Sequence, residues 1–115
     1  MNADTLNRLR DLQEPGADGL LAELIDLFLT DTPLRLAELR QAVADQNPTR
    51  IAAIAHTLKG SCGNLGAERL AALTCDVERA ARQELSVPAD TCLAPIEEEF
   101  RLVQAVLERE KTREK

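Results

Sequence analysis

Apolar residues recur along this chain at intervals of three and four, the spacing that lines one face of an α-helix. From about Asp4 to Gln13, Leu6, Leu9 and Leu12 mark a short amphipathic segment that Glu14-Pro15-Gly16 breaks. A longer, leucine-rich segment runs from about Asp18 to Asp45. Its first stripe is Leu21, Leu24, Ile25 and Phe28, continued by Leu36, Leu39 and Val43. Pro33 in its middle either kinks one long helix or restarts a new one with Thr32 as N-cap. The third segment opens on Asn47, a good N-cap, and Pro48, which suits the first helical position. Ile51, Ala55, Leu58, Cys62 and Leu65 share its apolar face, and Gly66 can end it in a left-handed conformation. The fourth, from about Ala67 to Gln83, puts Leu70, Leu73, Val77 and Ala80 or Ala81 on one side. Val87-Pro88 and Pro95 bracket a loop and a helix start. Leu93, Ile96, Phe100, Val103 and Leu107 line the last helix, before a charged tail, EREKTREK, that reads as solvated and frayed.

Four such helices with short connections bury their stripes most economically against one another. The expected fold is all-α: an antiparallel four-helix bundle with an additional short N-terminal helix across one end. Residues 1–115 form a single domain, since two would each be marginal. The bundle core spans about 18–107 and the charged tail 108–115.

Composition narrows the function. With 30% charged and 44% hydrophobic residues the chain is globular, and its only aromatics are Phe28 and Phe100. The formal charge of −6 and the lack of stacking aromatics disfavour nucleic acid. No apolar run approaches the roughly 20 residues that span a bilayer, and MNADTLNRLRDL lacks the apolar region of a signal peptide. Cys62, Cys75 and Cys92 are too far apart for a redox pair or a zinc knuckle, so each reads as a small buried side chain. A reducing, cytoplasmic setting is expected.

The single histidine carries the chemistry. At about 100° per residue, His56 points about 140° away from Ile51 and so off the apolar face. Ala52, Ala53, Gly60 and Gly63 fall on the same side, where a solvated helix normally carries long polar side chains. Glycine inside a helix costs about 1 kcal/mol relative to alanine. Small residues here clear space for something to reach the ring, and Lys59 places an ammonium beside it. A bare ring nitrogen, cleared surroundings and a cation describe a phosphate acceptor. A hairpin about residues 64–67 would bring His56 opposite Thr74–Glu78. Glu78 could then accept a hydrogen bond from one ring nitrogen and leave the other unprotonated. Arg79 and Arg82 lie close by in sequence and could meet an anionic partner.

The run Ala55-His56-Thr57-Leu58-Lys59-Gly60-Ser61-Cys62-Gly63-Asn64-Leu65-Gly66-Ala67 closely resembles the signature of histidine-containing phosphotransfer (HPt) domains, the helical bundles of multistep phosphorelays. The likeness covers roughly residues 18–107. It implies that His56 is the phosphorylated residue, at its Nε2, that Lys59 supports the phosphoryl group, and that Gly60 lets the partner approach. Glu78 stands where relatives carry a polar side chain bonded to the imidazole. The resemblance also implies partners: the receiver domains of a hybrid histidine kinase and of a response regulator. One delivers the phosphoryl group from its aspartate and the other removes it, and Mg²⁺ belongs to those receivers. Docking would use the face around His56, with Ala52, Ala53, Gly63, Arg79 and Arg82 as contacts.

No phosphate-binding glycine loop is present, because Gly60, Gly63 and Gly66 run through a helix end and follow no strand. No carboxylate cluster or His/Cys set offers a metal site. The expectation is a monomeric phosphocarrier with neither kinase activity nor cofactor of its own. The rival readings are a non-phosphorylated helical module that binds receivers, and a small enzyme using His56 as general base.

Overall fold

The structure is a computed structural model describing residues 3–11, 19–85 and 87–113. It comprises α1 (Ala3–Asp11), α2 (Leu20–Ala44), α3 (Pro48–Asn64), α4 (Glu68–Arg82) and α5 (Ala94–Arg113), with a π-helical turn at Ala89–Leu93 leading into α5. α3 packs on α2 and most extensively on α4, and α5 closes the ring against both α2 and α4. The result is the four-helix bundle expected, 48 × 20 × 19 Å, with α1 tied to it through the buried Leu6. Leu12, Gln13 and the break at 14–16 lie outside the described residues.

One core joins all the helices. Leu21, Ile25, Phe28 and Leu39 of α2 meet Ile51, Ala55, Leu58 and Cys62 of α3, Leu70, Val77 and Ala81 of α4, and Ile96, Phe100, Val103 and Leu107 of α5. Phe28 and Phe100 pack with ring centroids 6.1 Å apart at a tilt of 48°, an arrangement aromatic quadrupoles favour. Arg40 to Glu97 and Lys111 to Asp26 tie α2 to α5, and Arg69 ties α4 to Glu99 of α5 at 3.3 Å.

The structure decides the open alternatives and corrects several expectations. α2 passes through Pro33 as one helix; Thr32 is no N-cap but a buried side chain, and Pro33 sits on the exposed side. Proline there removes one backbone donor, and on the exposed side water can serve the carbonyl left without a partner. Leu24 leaves the core stripe and is 40% exposed, because the buried arc of α2 runs through Leu21, Ile25 and Phe28 instead. On α4, Thr74 takes a core position by returning its hydroxyl to the carbonyls of Leu70 and Ala71, at 3.1 and 2.9 Å; Leu73 packs at the margin. Of Ala80 and Ala81, Ala81 is the buried one. Only Cys62 among the cysteines is fully buried; Cys75 and Cys92 are half-buried. The charged tail stays helical to Arg113, held by the Lys111–Asp26 pair.

Three helices end alike. Gln46, Gly66 and Glu84 each have positive φ, at 51°, 79° and 54°. The next residue's N–H reaches back to close the last turn: Asn47 to Ala42, Ala67 to Cys62 and Leu85 to Ala80, at 3.1, 2.9 and 2.9 Å. These left-handed caps satisfy orphan carbonyls and reverse the chain within a few residues. The cap at Gly66 sets the α3–α4 hairpin, and with it the pairing on which the site depends.

Candidate functional site

α3 starts where Asn47 Oδ1 accepts the Arg50 N–H at 3.2 Å and Pro48 opens the first turn. From that start the register is fixed by Ile51, Ala55, Leu58 and Cys62, all buried against α2 and α4. His56 is thereby turned outward, with its side chain 62% exposed. α4 brings Glu78 across from it, almost fully buried.

The imidazole Nδ1 lies 3.1 Å from Glu78 Oε2. Arg82 donates to the same oxygen through Nε at 2.9 Å and Nη2 at 2.7 Å. Lys59 Nζ stands 3.0 Å from the other oxygen, Oε1, an ion pair without the alignment of a directed hydrogen bond. Burial works to raise the Glu78 carboxyl, but Lys59, then Arg82 and His56, outweigh it and hold it at about 2. At neutral pH Glu78 is therefore ionised and can only accept. The Nδ1 facing it must carry the ring proton, which leaves the Nε2 lone pair of the neutral imidazole free. Two cations beside one buried carboxylate leave the cluster positive overall, suited to an incoming anion.

The structure thus brings together His56, Lys59, Glu78 and Arg82. Gly60 and Gly63 are exposed, and nothing lies within 4 Å of where a Cβ would project from either. Ala53 is exposed beside them, and Thr57 folds its hydroxyl back to the Ala53 carbonyl at 3.2 Å. Ala52 is corrected: it is buried, 5% exposed, because α4 closes over that side of α3. It leaves little surface for a partner to touch. Arg79 stays outside the cluster, exposed and turned to Asp76 at 3.8 Å and to Cys75 Sγ at 3.7 Å.

The sequence reading missed a groove of about 580 Å³ lined by Leu9, Leu24, Leu27, Phe28, Ser61 and Asn64, among others. Leu27 is 65% exposed there. Asn64 stands eight positions beyond His56 on α3, about 12 Å along the axis. The signal was present in part, since Leu27 falls outside the stripe of α2 and so had no core position assigned. Among the described residues no group of three or more His, Cys, Asp or Glu is gathered for a metal ion. No helix among them is long and apolar enough to cross a membrane.

Comparison with known proteins agrees with this fold. The crystal structure of histidine-containing phosphotransfer protein B from Pseudomonas aeruginosa superposes with a TM-score of 0.88 at 27% identity, covering 98% of this chain and 95% of that one. No curated protein matches the sequence. The Hpt domain family matches residues 23–111, which takes in nearly all of α2 through α5 and the whole His56 cluster. On that match, and on a fold shared almost end to end with a phosphotransfer protein, the chain belongs to the Hpt domain family.

Proposed function

We propose that this chain is the histidine intermediate of a multistep phosphorelay. His56 accepts a phosphoryl group at Nε2 from the aspartyl phosphate of one receiver domain and passes it to the aspartate of another. The observation that carries this is the setting of the ring: Nδ1 stands 3.1 Å from an ionised, buried Glu78 while the imidazole side chain as a whole is 62% exposed. Membership of the Hpt family supports a phosphotransfer role, and Hpt proteins are carriers rather than kinases.

In the transfer, the Nε2 lone pair attacks phosphorus in line as the phosphorus–oxygen bond to the donor aspartate breaks. The aspartate leaves as a carboxylate with the bonding pair. The positive charge that develops on the ring is met at Nδ1–H by Glu78, already ionised and in place, so little reorganisation is needed. Lys59 supports the phosphoryl oxygens, and Gly60 and Gly63 let the receiver come close. Ala53, Arg79 and Arg82 border that approach. Mg²⁺ and the acidic pocket are supplied by the receivers, those of a hybrid histidine kinase and of a response regulator, and this chain needs no cofactor of its own. It works as a monomer in the cytoplasm.

The rival reading, a binding module without transfer, is disfavoured by the cost of the cluster. Burying a carboxylate is unfavourable unless it is closely paired, and a module that only docks gains nothing from aiming one at an imidazole. Incubation with a phosphorylated receiver tests the proposal. Label that is acid-labile and base-stable should appear on the wild type and vanish in His56→Gln. No label on the wild type, or undiminished label on His56→Gln, overturns it. Release of free phosphate by the chain without a receiver would favour hydrolysis instead.

A further inference from the structure

We propose that Arg82 is a positioning residue that keeps Glu78 compensated and oriented, so that Lys59 can leave the carboxylate for an incoming phosphoryl group. This rests on the reading of His56 as phosphoacceptor and adds a condition to it. The two oxygens of Glu78 are held in different ways. Oε2 takes the Arg82 fork in two short hydrogen bonds and His56 Nδ1 beside them. Oε1 meets Lys59 alone among the described residues, at 3.0 Å and without hydrogen-bond alignment. The lysine contact is the exchangeable one.

In the resting protein Lys59 is therefore occupied. A phosphoryl group arriving at Nε2 brings a charge of about −1.5 to −2 and competes for the same ammonium. If Lys59 were the only cation on Glu78, its departure would strand a carboxylate that is 8% exposed, and an uncompensated buried charge is strongly unfavourable. Arg82 removes that penalty because it remains on Oε2. Its two N–H groups close on the one oxygen and hold Oε2 in place beside Nδ1, which a point-charge ammonium does less well. Without the arginine, Glu78 would turn toward Lys59 and loosen its hold on Nδ1–H.

Among the described residues no other charged group takes this place. On α4, Arg79 is engaged with Asp76 and Cys75 on the outer side of the helix. On α2, Asp31, Arg35 and Glu38 pair with one another, and Asp26 and Arg40 pair with α5. Within reach of Glu78, α3 contributes Lys59 and His56, and α4 contributes Arg82.

The test uses the full chain and two readouts. The first is the ¹⁵N shifts of its single imidazole at alkaline pH, which report the ring nitrogen that carries the proton. The second is the rate of labelling by phosphoramidate, whose phosphorus–nitrogen bond breaks with loss of ammonia as the bond to Nε2 forms. Arg82→Ala should spread the proton over both ring nitrogens and slow labelling by about tenfold, the effect of about 1.4 kcal/mol on a barrier. Arg82→Lys should recover only part of the rate, because it restores the charge without the paired N–H donors. In a Glu78→Gln background the neutral amide needs no counter-ion, so removing Arg82 should change the rate by less than about twofold, as a double-mutant cycle would show. An equal loss in both backgrounds overturns the proposal, because it places the arginine's action on the donor. Wild-type ring shifts in Arg82→Ala also overturn it. The arginine is 59% exposed, so its loss should spare the fold, which circular dichroism checks. The ring shifts need no phosphoryl donor: wild type that accepts no label defeats the acceptor reading, whereas unchanged shifts defeat only the role of Arg82.

Discussion

His56 Nδ1 and Glu78 Oε2 meet at 3.1 Å across 22 positions of sequence. That contact joins α3 to α4, and it exists because the hairpin between them is set by the left-handed Gly66 cap. An exposed ring takes its chemistry from a buried carboxylate, and the carboxylate in turn stays ionised through the cations around it. Each link can be tested separately.

Acid stability should report the ionisation of Glu78. Its carboxyl is held at about 2 against an ordinary 4.5. A lowered carboxylate pKa gives stability that is fully present above the unfolded value and is lost as pH falls through the folded one. The loss should therefore fall between about pH 4.5 and 2, on the order of 3 kcal/mol at most. Urea unfolding as a function of pH should show a flatter acid limb for Glu78→Gln. An acid limb identical to the wild type would mean that other carboxylates govern the transition.

Gly60 and Gly63 separate fold from function. Both lie inside α3 with open space where a Cβ would go, so nothing in the packing requires glycine. Alanine at either should stabilise the helix by about 1 kcal/mol, seen as a higher Tm. A larger side chain, as in Gly60→Gln, should leave the fold intact and labelling by phosphoramidate unchanged, yet slow transfer from a phosphorylated receiver at least tenfold. Equal slowing with both donors would show that the added side chain disturbs the ring rather than the approach of a partner.

Much of this was legible in the sequence where one element sufficed to decide it. Asn47-Pro48 announced the start of α3, and the apolar stripe through Ile51, Leu58 and Cys62 set the outward aim of His56. Glu78 followed from the hairpin register. Legibility failed where a second helix decided the outcome. Ala52 looks exposed on a wheel but α4 covers it, and Leu24 belongs to an apolar pattern yet sits beyond the edge of the core. The helix ends show the same limit. Gly66 signals its left-handed cap, whereas Gln46 and Glu84 adopt that backbone without any residue preference to betray it. Arg82 stood out only alongside Arg79 as a possible docking contact, and its separate role shows once Glu78 is seen to be buried four positions before it.

The three thiols should divide by burial. Cys62 is fully buried and burial pushes its thiol up to about 12, whereas Cys75 and Cys92 are half-buried. Since the thiolate is the reactive form, a disulfide reagent at mildly alkaline pH should modify Cys75 and Cys92 in the native protein. Cys62 should react only on unfolding. Early modification of Cys62, read by mass spectrometry, would reveal opening of the α3 core at low cost.

The groove beside α3 gives a final test, one that concerns the partner rather than the ring. Leu27 and Leu24 expose 65% and 40% of their surfaces on α2, next to Ser61 and Asn64 of the helix that carries His56. Contiguous apolar surface of this kind marks a contact site, and its position on the edge shared with α3 fits the proposed receiver, which would place its aspartate against Nε2. Leu27 is mostly exposed, so Leu27→Asp should cost no more than about 1 kcal/mol, with its lower helix propensity and the like charges of Glu23 and Asp31 included. It should weaken receiver binding about tenfold, since a charge then has to be desolvated at the interface. Transfer from a phosphorylated receiver should fall in step at sub-saturating concentrations, while labelling by phosphoramidate stays at the wild-type rate. Receiver affinity unchanged in Leu27→Asp would move the docking face to the other flank of His56, toward Arg79 and Arg82.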